Sequence, residues 1–162
     1  MLKFKCLIVS VLVLISAHPC FADDITKLVG TWRVISFETE YQTTGERVPV
    51  LGQNPKGYVI YTSEGRVTSL ITAQGLKAAT TDKERADLWR SMVAYTGVYH
   101  VEGDKCIAKV DVSSMPTWVG TERVFFLHID GDRLQATGPW GDAPLYPERG
   151  KMRVTVTSER VK

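Results

Sequence analysis

The sequence predicts an all-β protein: an antiparallel up-and-down barrel of eight strands, interrupted by one short α-helix. Three observations predict it. Short segments rich in β-branched and aromatic residues recur along the chain. Tight turns containing Gly and Asp separate them at close spacing. One segment alone carries the marks of a helix. About eight strands close into a small barrel whose interior is filled by side chains or holds one small ligand.

Ahead of this pattern, Met1 to Ala22 reads as a cleavable secretory signal peptide. Lys3 and Lys5 give a positive start, Cys6 to Ala17 is an unbroken run of apolar and small residues, and Cys20-Phe21-Ala22 offers small side chains where a signal peptidase cuts. The apolar run is shorter than the roughly 20 residues of a membrane span. Ala17-His18-Pro19 before Cys20 is a poor context for lipidation, so no stable membrane anchor is expected after cleavage. The barrel domain is expected to occupy 23–162, in the periplasm or the outside medium.

Removing the leader changes the charge balance. The chain has 20 Lys+Arg and 18 Asp+Glu; the leader holds two lysines and no acid, leaving 18 against 18. A neutral chain without basic clusters gives no reason to expect a nucleic-acid partner. Of three cysteines, Cys6 and Cys20 leave with the leader, and Cys106 alone has no partner for an intrachain disulfide. The remaining chain of about 140 residues suits one domain with one core.

The elements follow in order. Thr31 to Glu40 opens the barrel with Trp32, Val34 and Phe37. Tyr58 to Thr62 turns through Ser63-Glu64-Gly65 into Arg66 to Thr72. Thr81 to Tyr95 carries helix grammar: Thr81 and Glu84 have capping-box spacing, and Leu88 with Met92, and Trp89 with Val93, fall on i,i+4 rows. Its charged residues from Asp82 to Asp87 form a solvated face, and the helix is expected to lie over a barrel mouth or along the wall. Gly97 to Glu102 pairs with Lys105 to Ser113 through Gly103-Asp104. Gly120 to Ile129 pairs with Arg133 to Thr137 through Asp130-Gly131-Asp132, and Lys151 to Thr157 closes the chain.

Together the motifs resemble a known family. Gly30-Thr31-Trp32 opens the first strand; Glu46-Arg47-Val48-Pro49, Asn54-Pro55-Lys56-Gly57, Ala94-Tyr95-Thr96-Gly97, Trp118-Val119-Gly120-Thr121 and Asp130-Gly131-Asp132-Arg133-Leu134 follow in order. This set is similar to the bacterial and fungal lipocalin-like domain family of calycin-type barrels, over almost all of Ile25 to Thr157. The resemblance implies a barrel with an internal cavity and no obligatory cofactor, and no single activity. It also implies that Trp32 packs at one barrel end beneath an arginine of the last strand, best matched by Arg153, as a structural cation–π pair. Many members carry a His-His pair where this chain has Ala108 and Lys109, and a Glu where it has His128.

Chemistry-bearing residues are sparse. His100 and His128 lie in expected strands, either as wall residues or as cavity-facing proton donors or acceptors. On the strand of His128 both faces are apolar, Val124 and Phe126 on one and Phe125, Leu127 and Ile129 on the other, so periodicity leaves the inner face open. No His or Cys pair has ligand spacing, so no metal is expected. Nucleophile-elbow and phosphate-loop motifs are missing. Aromatic residues are the stronger signal, because Tyr joins an apolar body to a polar tip. The candidates for ligand contact are Tyr61, Tyr99, His100, Trp118, Phe126, His128 and Trp140, with Trp118 and Trp140 in loops expected at the mouth.

Three functions remain open from these residues. One is an exported protein binding a small hydrophobic or amphipathic molecule in the cavity. Another is a cofactor-free isomerase, cyclase or hydrolase acting on a hydrophobic substrate. The last is an envelope interaction module using the helix or the proline-rich segment from Gly138 to Gly150.

Overall fold

In a computed structural model, residues 26–143 and 147–162 are described. The expected signal peptide, and Pro144 to Tyr146 of the proline-rich segment, lie outside them. The strands are β1 (Gly30–Tyr41), β2 (Arg47–Pro49), β3 (Lys56–Tyr61), β4 (Arg66–Thr72), β5 (Met92–Glu102), β6 (Lys105–Ser113), β7 (Glu122–Asp130), β8 (Arg133–Thr137), β9 (Gly141–Asp142) and β10 (Lys151–Arg160). The helix α1 (Asp82–Arg90) joins β4 to β5.

Every pairing is antiparallel. The order runs β1-β3-β4-β5-β6-β7-β8-β10, and β10 returns to pair with β1, so eight strands form a closed wall. The short strands β2 and β9 extend it at one end, against β1 and β10. Closure matters physically because it leaves no long unpaired edge. The hairpins at 62–65, 103–104 and 131–132 gather at one end, where β1 starts and β10 finishes. The other end carries α1, a short 3-10 helix at Pro116–Trp118 and the chain after Gly138.

Alternation sorts the side chains. Val67, Ser69 and Ile71 of β4 are buried, with exposed Arg66, Thr68 and Leu70 between them. Glycine serves specific needs at two positions. Gly65 closes the β3–β4 turn at φ +81°, a conformation that a Cβ disfavours. Gly97 sits beside the register shift between β5 and β6, where a Cβ would collide with the Lys109 carbonyl.

The helix is shorter than its sequence pattern. Its capping box is present: the Glu84 amide donates to the Thr81 hydroxyl at 3.2 Å, and the Thr81 amide to the Glu84 carboxylate at 3.1 Å. It ends at Arg90, and Met92 to Tyr95, expected as helix, begin β5. The reason is tertiary. Val93 and Tyr95 alternate inward against Ile71 and Ser69 of β4, a burial that an exposed last helical turn would not provide. The helix itself buries no residue, and Trp89 stays 59% exposed.

Candidate functional site

The interior holds an apolar space that is partly open to solvent. Its walls include Phe37 of β1, Ile71 of β4, Phe125 of β7 and Val156 of β10, with Tyr61 toward the hairpin end. The volume open to the centre of a water-sized sphere is about 40 Å³. One water needs roughly 10–15 Å³ by that measure, so the space takes a few waters or one molecule of about a ring or a short chain. No charged side chain is among its lining residues.

Polar tips punctuate this lining. Ser69 and Tyr95 are cross-strand partners on β4 and β5, and Ser158 faces them from β10 on the far wall. The hydroxyls of these three residues take part in no side-chain hydrogen bond among the described residues, each residue borders the cavity, and since no buried side-chain oxygen there lacks a partner, these hydroxyls open onto space that water reaches. Tyr61 lies close enough to the buried Cys106 thiol for each to shift the other's ionisation, and the Tyr99 ring meets Tyr61 edge-on at 5.2 Å. Tyr99 in turn donates its hydroxyl to the Thr62 carbonyl at 3.0 Å, which ties it into the hairpin.

These groups hold their protons. Burial pushes the Cys106 thiol up to about 12, against a weaker opposing effect of Tyr61. Burial likewise raises the phenols of Tyr61 and Tyr95 well above their ordinary value, and the nearby thiol adds to it. Arg123 acts on Tyr95 in the opposite sense and does not reverse the shift. At neutral pH the cluster therefore presents neutral hydrogen-bond donors and acceptors.

The candidates from sequence separate cleanly. Tyr61 lines the cavity, and Tyr99 packs behind it. Trp118 is not among the lining residues; it lies at the end opposite the hairpins, edge-on to Tyr95 at 5.9 Å and beneath the Arg123 guanidinium at 4.2 Å. His100, Phe126 and His128 point out of the barrel, so none lines the cavity. His100 is 3.2 Å from Glu102 on the surface, Phe126 lies under the Lys105 ammonium, and His128 is exposed opposite Gln135. Trp140 is outside as well, stacked 4.4 Å from Arg153. At the site of the family's His-His pair, Ala108 faces inward and Lys109 outward.

The expected Trp32–Arg153 pair is corrected. The cation over Trp32 is Arg160, at 4.1 Å. Trp32 pairs with Arg160 across β1 and β10, whereas Arg153 pairs with Glu40, eight residues or about 26 Å along β1. Parity adds to the mismatch. Val154, Val156 and Ser158 face inward, so Arg153 points outward, and it binds Glu40 at 2.9 Å. Arg160 also donates to the carbonyls of Val29 and Lys27, and the Trp32 indole N–H donates to the Leu28 carbonyl at 2.8 Å.

Sequence reasoning missed Tyr95, Ser69, Ser158 and Arg123. Tyr95 counts among the aromatic residues of the sequence, but it stands at the end of the expected helix and nothing local singles it out as a cavity residue. The serines sit singly among apolar neighbours, with only the period-2 rule to reveal them.

Comparison with curated proteins gives no match. The profile of the lipocalin-like domain family matches residues 29–161, from the approach to β1 to the end of β10. A match of that extent on a closed eight-stranded barrel means that the chain belongs to the lipocalin-like domain family.

Proposed function

We propose that the protein is exported and binds a small hydrophobic or amphipathic molecule inside its barrel. A lipocalin-like barrel is a small-molecule-binding fold in general, and the single observation that carries the reading here is the apolar cavity in the barrel with a few hydroxyl-bearing residues on its walls. Such a lining is that of a ligand site, mostly apolar with a few orienting polar groups. The leader supplies the case for export.

An enzymatic reading needs a group that changes protonation near neutral pH. Both histidines of the barrel are on the outer wall, and the interior thiol and phenols stay protonated. Binding is therefore the better-supported function.

Native mass spectrometry of the purified protein soaked with small aromatic and short aliphatic compounds tests the reading. A one-to-one adduct that disappears when Ala136, on the cavity wall, is replaced by Phe is the expected result. Adducts that persist in that variant, or none at all, would defeat it. Export is checked by N-terminal sequencing of protein from the cell envelope or medium, expected to begin at Asp23.

A further inference from the structure

The binding reading names no ligand chemistry, and the cavity wall does. We propose that the site selects an uncharged molecule of about one ring in size bearing a hydroxyl or carbonyl oxygen, held by the hydroxyls of Tyr95 and Ser69, with Ser158 available opposite. The inference rests on the binding reading and sharpens it.

Size, charge and hydrogen bonding each narrow the class. The volume of about 40 Å³ open to the centre of a water-sized sphere suits one small molecule held within the barrel. The lining carries no charged side chain, so a carboxylate or ammonium would be stripped of water without a counter-ion. Arg123, the one charged group whose field reaches Tyr95 among the described residues, lies outside the lining and stacks on Trp118, and Arg160 stacks on Trp32 at the closed end. The hydroxyls of Tyr95, Ser69 and Ser158 have no protein partner among the described residues, and Ser69 and Tyr95 are adjacent on neighbouring strands. Water reaches these hydroxyls in the empty cavity; a ligand without oxygen that displaces it would leave them unpaired, and a ligand with one replaces it. A neutral phenol both donates and accepts, so a hydroxyl or a carbonyl serves equally.

The test compares three probes of similar size by calorimetric titration: benzyl alcohol, toluene and benzoate. Benzyl alcohol is expected to bind at least about tenfold tighter than either of the others, the scale set by leaving one buried polar group unpaired. Tyr95→Phe keeps the ring against Trp118 and should lower benzyl alcohol affinity to the level of toluene, leaving toluene unchanged. Ser69→Ala, a smaller change, should weaken benzyl alcohol alone and serves if the first variant folds poorly. Equal binding of toluene and benzyl alcohol by the unaltered protein overturns the inference while the binding reading stands. Benzoate binding tightest, and weakened by Arg123→Gln, overturns it in favour of an anionic ligand at the mouth. Failure of all three probes overturns the inference and the binding reading together.

Discussion

At one end of the barrel Arg160 lies 4.1 Å from the centre of the Trp32 ring; at the other, Arg123 lies 4.2 Å from that of Trp118. The pairs match in chemistry and differ in anchoring. Trp32 is wholly buried in a strand, its N–H is bound to Leu28, and its arginine also ties down the chain before β1. Trp118 sits half-buried on a single turn of 3-10 helix after Pro116, and its indole N–H has no partner among the described residues. The Trp32 side chain is fastened by a hydrogen bond as well as packing, whereas the Trp118 side chain is held by packing, with hydrogen bonds only at its backbone. The same aromatic–cation pair thus makes a buried floor at one end and a partly exposed cover at the other.

The comparison breaks most readily at Trp32. Trp32→Ala should cost about 3–5 kcal/mol, the range for deleting a buried aromatic, measured by urea unfolding. A loss below about 1 kcal/mol would mean that the closed end is no keystone. Arg160→Met should cost about 1–3 kcal/mol, since it orphans backbone carbonyls as well as the cation–π contact. Arg153→Met, whose guanidinium meets Glu40 and Trp140 on the outer surface, should cost about 1 kcal/mol or less. Equal losses at the two arginines would restore the pairing expected from sequence.

A pH series sharpens the contrast between floor and cover. Tyr61, Tyr95 and Cys106 have folded-state values raised above their ordinary 10.0 and 9.0. The folded form therefore keeps protons that the unfolded form releases. Their contribution to stability is full below about 9 and falls as pH rises from there toward the folded values. Alkaline titration followed by phenolate absorbance should show Tyr61 and Tyr95 ionising only with unfolding. Ionisation of both at ordinary pH in the folded barrel would contradict their burial. A similarly small effect belongs to Trp118→Ala, about 1 kcal/mol in stability, because the side chain is only partly buried at the edge of the core and its indole N–H lacks an anchoring hydrogen bond. Its effect should instead be kinetic. Stopped-flow exchange of benzyl alcohol should be faster than in the unaltered protein, and an unchanged rate would show that ligand passes elsewhere.

How much of this was legible in the sequence depends on how local the signal was. The strand count and most hairpins were readable because Gly65, Gly103 and Gly131 mark turns between alternating segments. Closure was readable only through the count and the family motifs, since pairing of β1 with β10 joins distant residues. The helix end failed because Leu88, Met92, Trp89 and Val93 satisfy the i,i+4 rule as well as β5 satisfies period 2, and only contact with β4 decides. The cap arginine failed because β10 runs three residues past its expected end at Thr157, which brings Arg160 onto the inner face. For β7, apolar residues on both faces carried no direction: Val124 and Phe126 face outward, where Ile107 and Lys105 of β6 lie opposite them.

Cys106 gives this barrel a built-in clock. The thiol is 2% exposed, and burial holds it almost wholly in the unreactive protonated form. An alkylating reagent reaches it only when β6 parts from a neighbouring strand. The rate at which the Cys106 peptide gains mass, at a pH where free thiols react promptly, therefore measures how often the wall opens. Comparing that rate with and without a bound molecule would report occupancy through the wall's breathing, with no need for the ligand to absorb, fluoresce or carry a label.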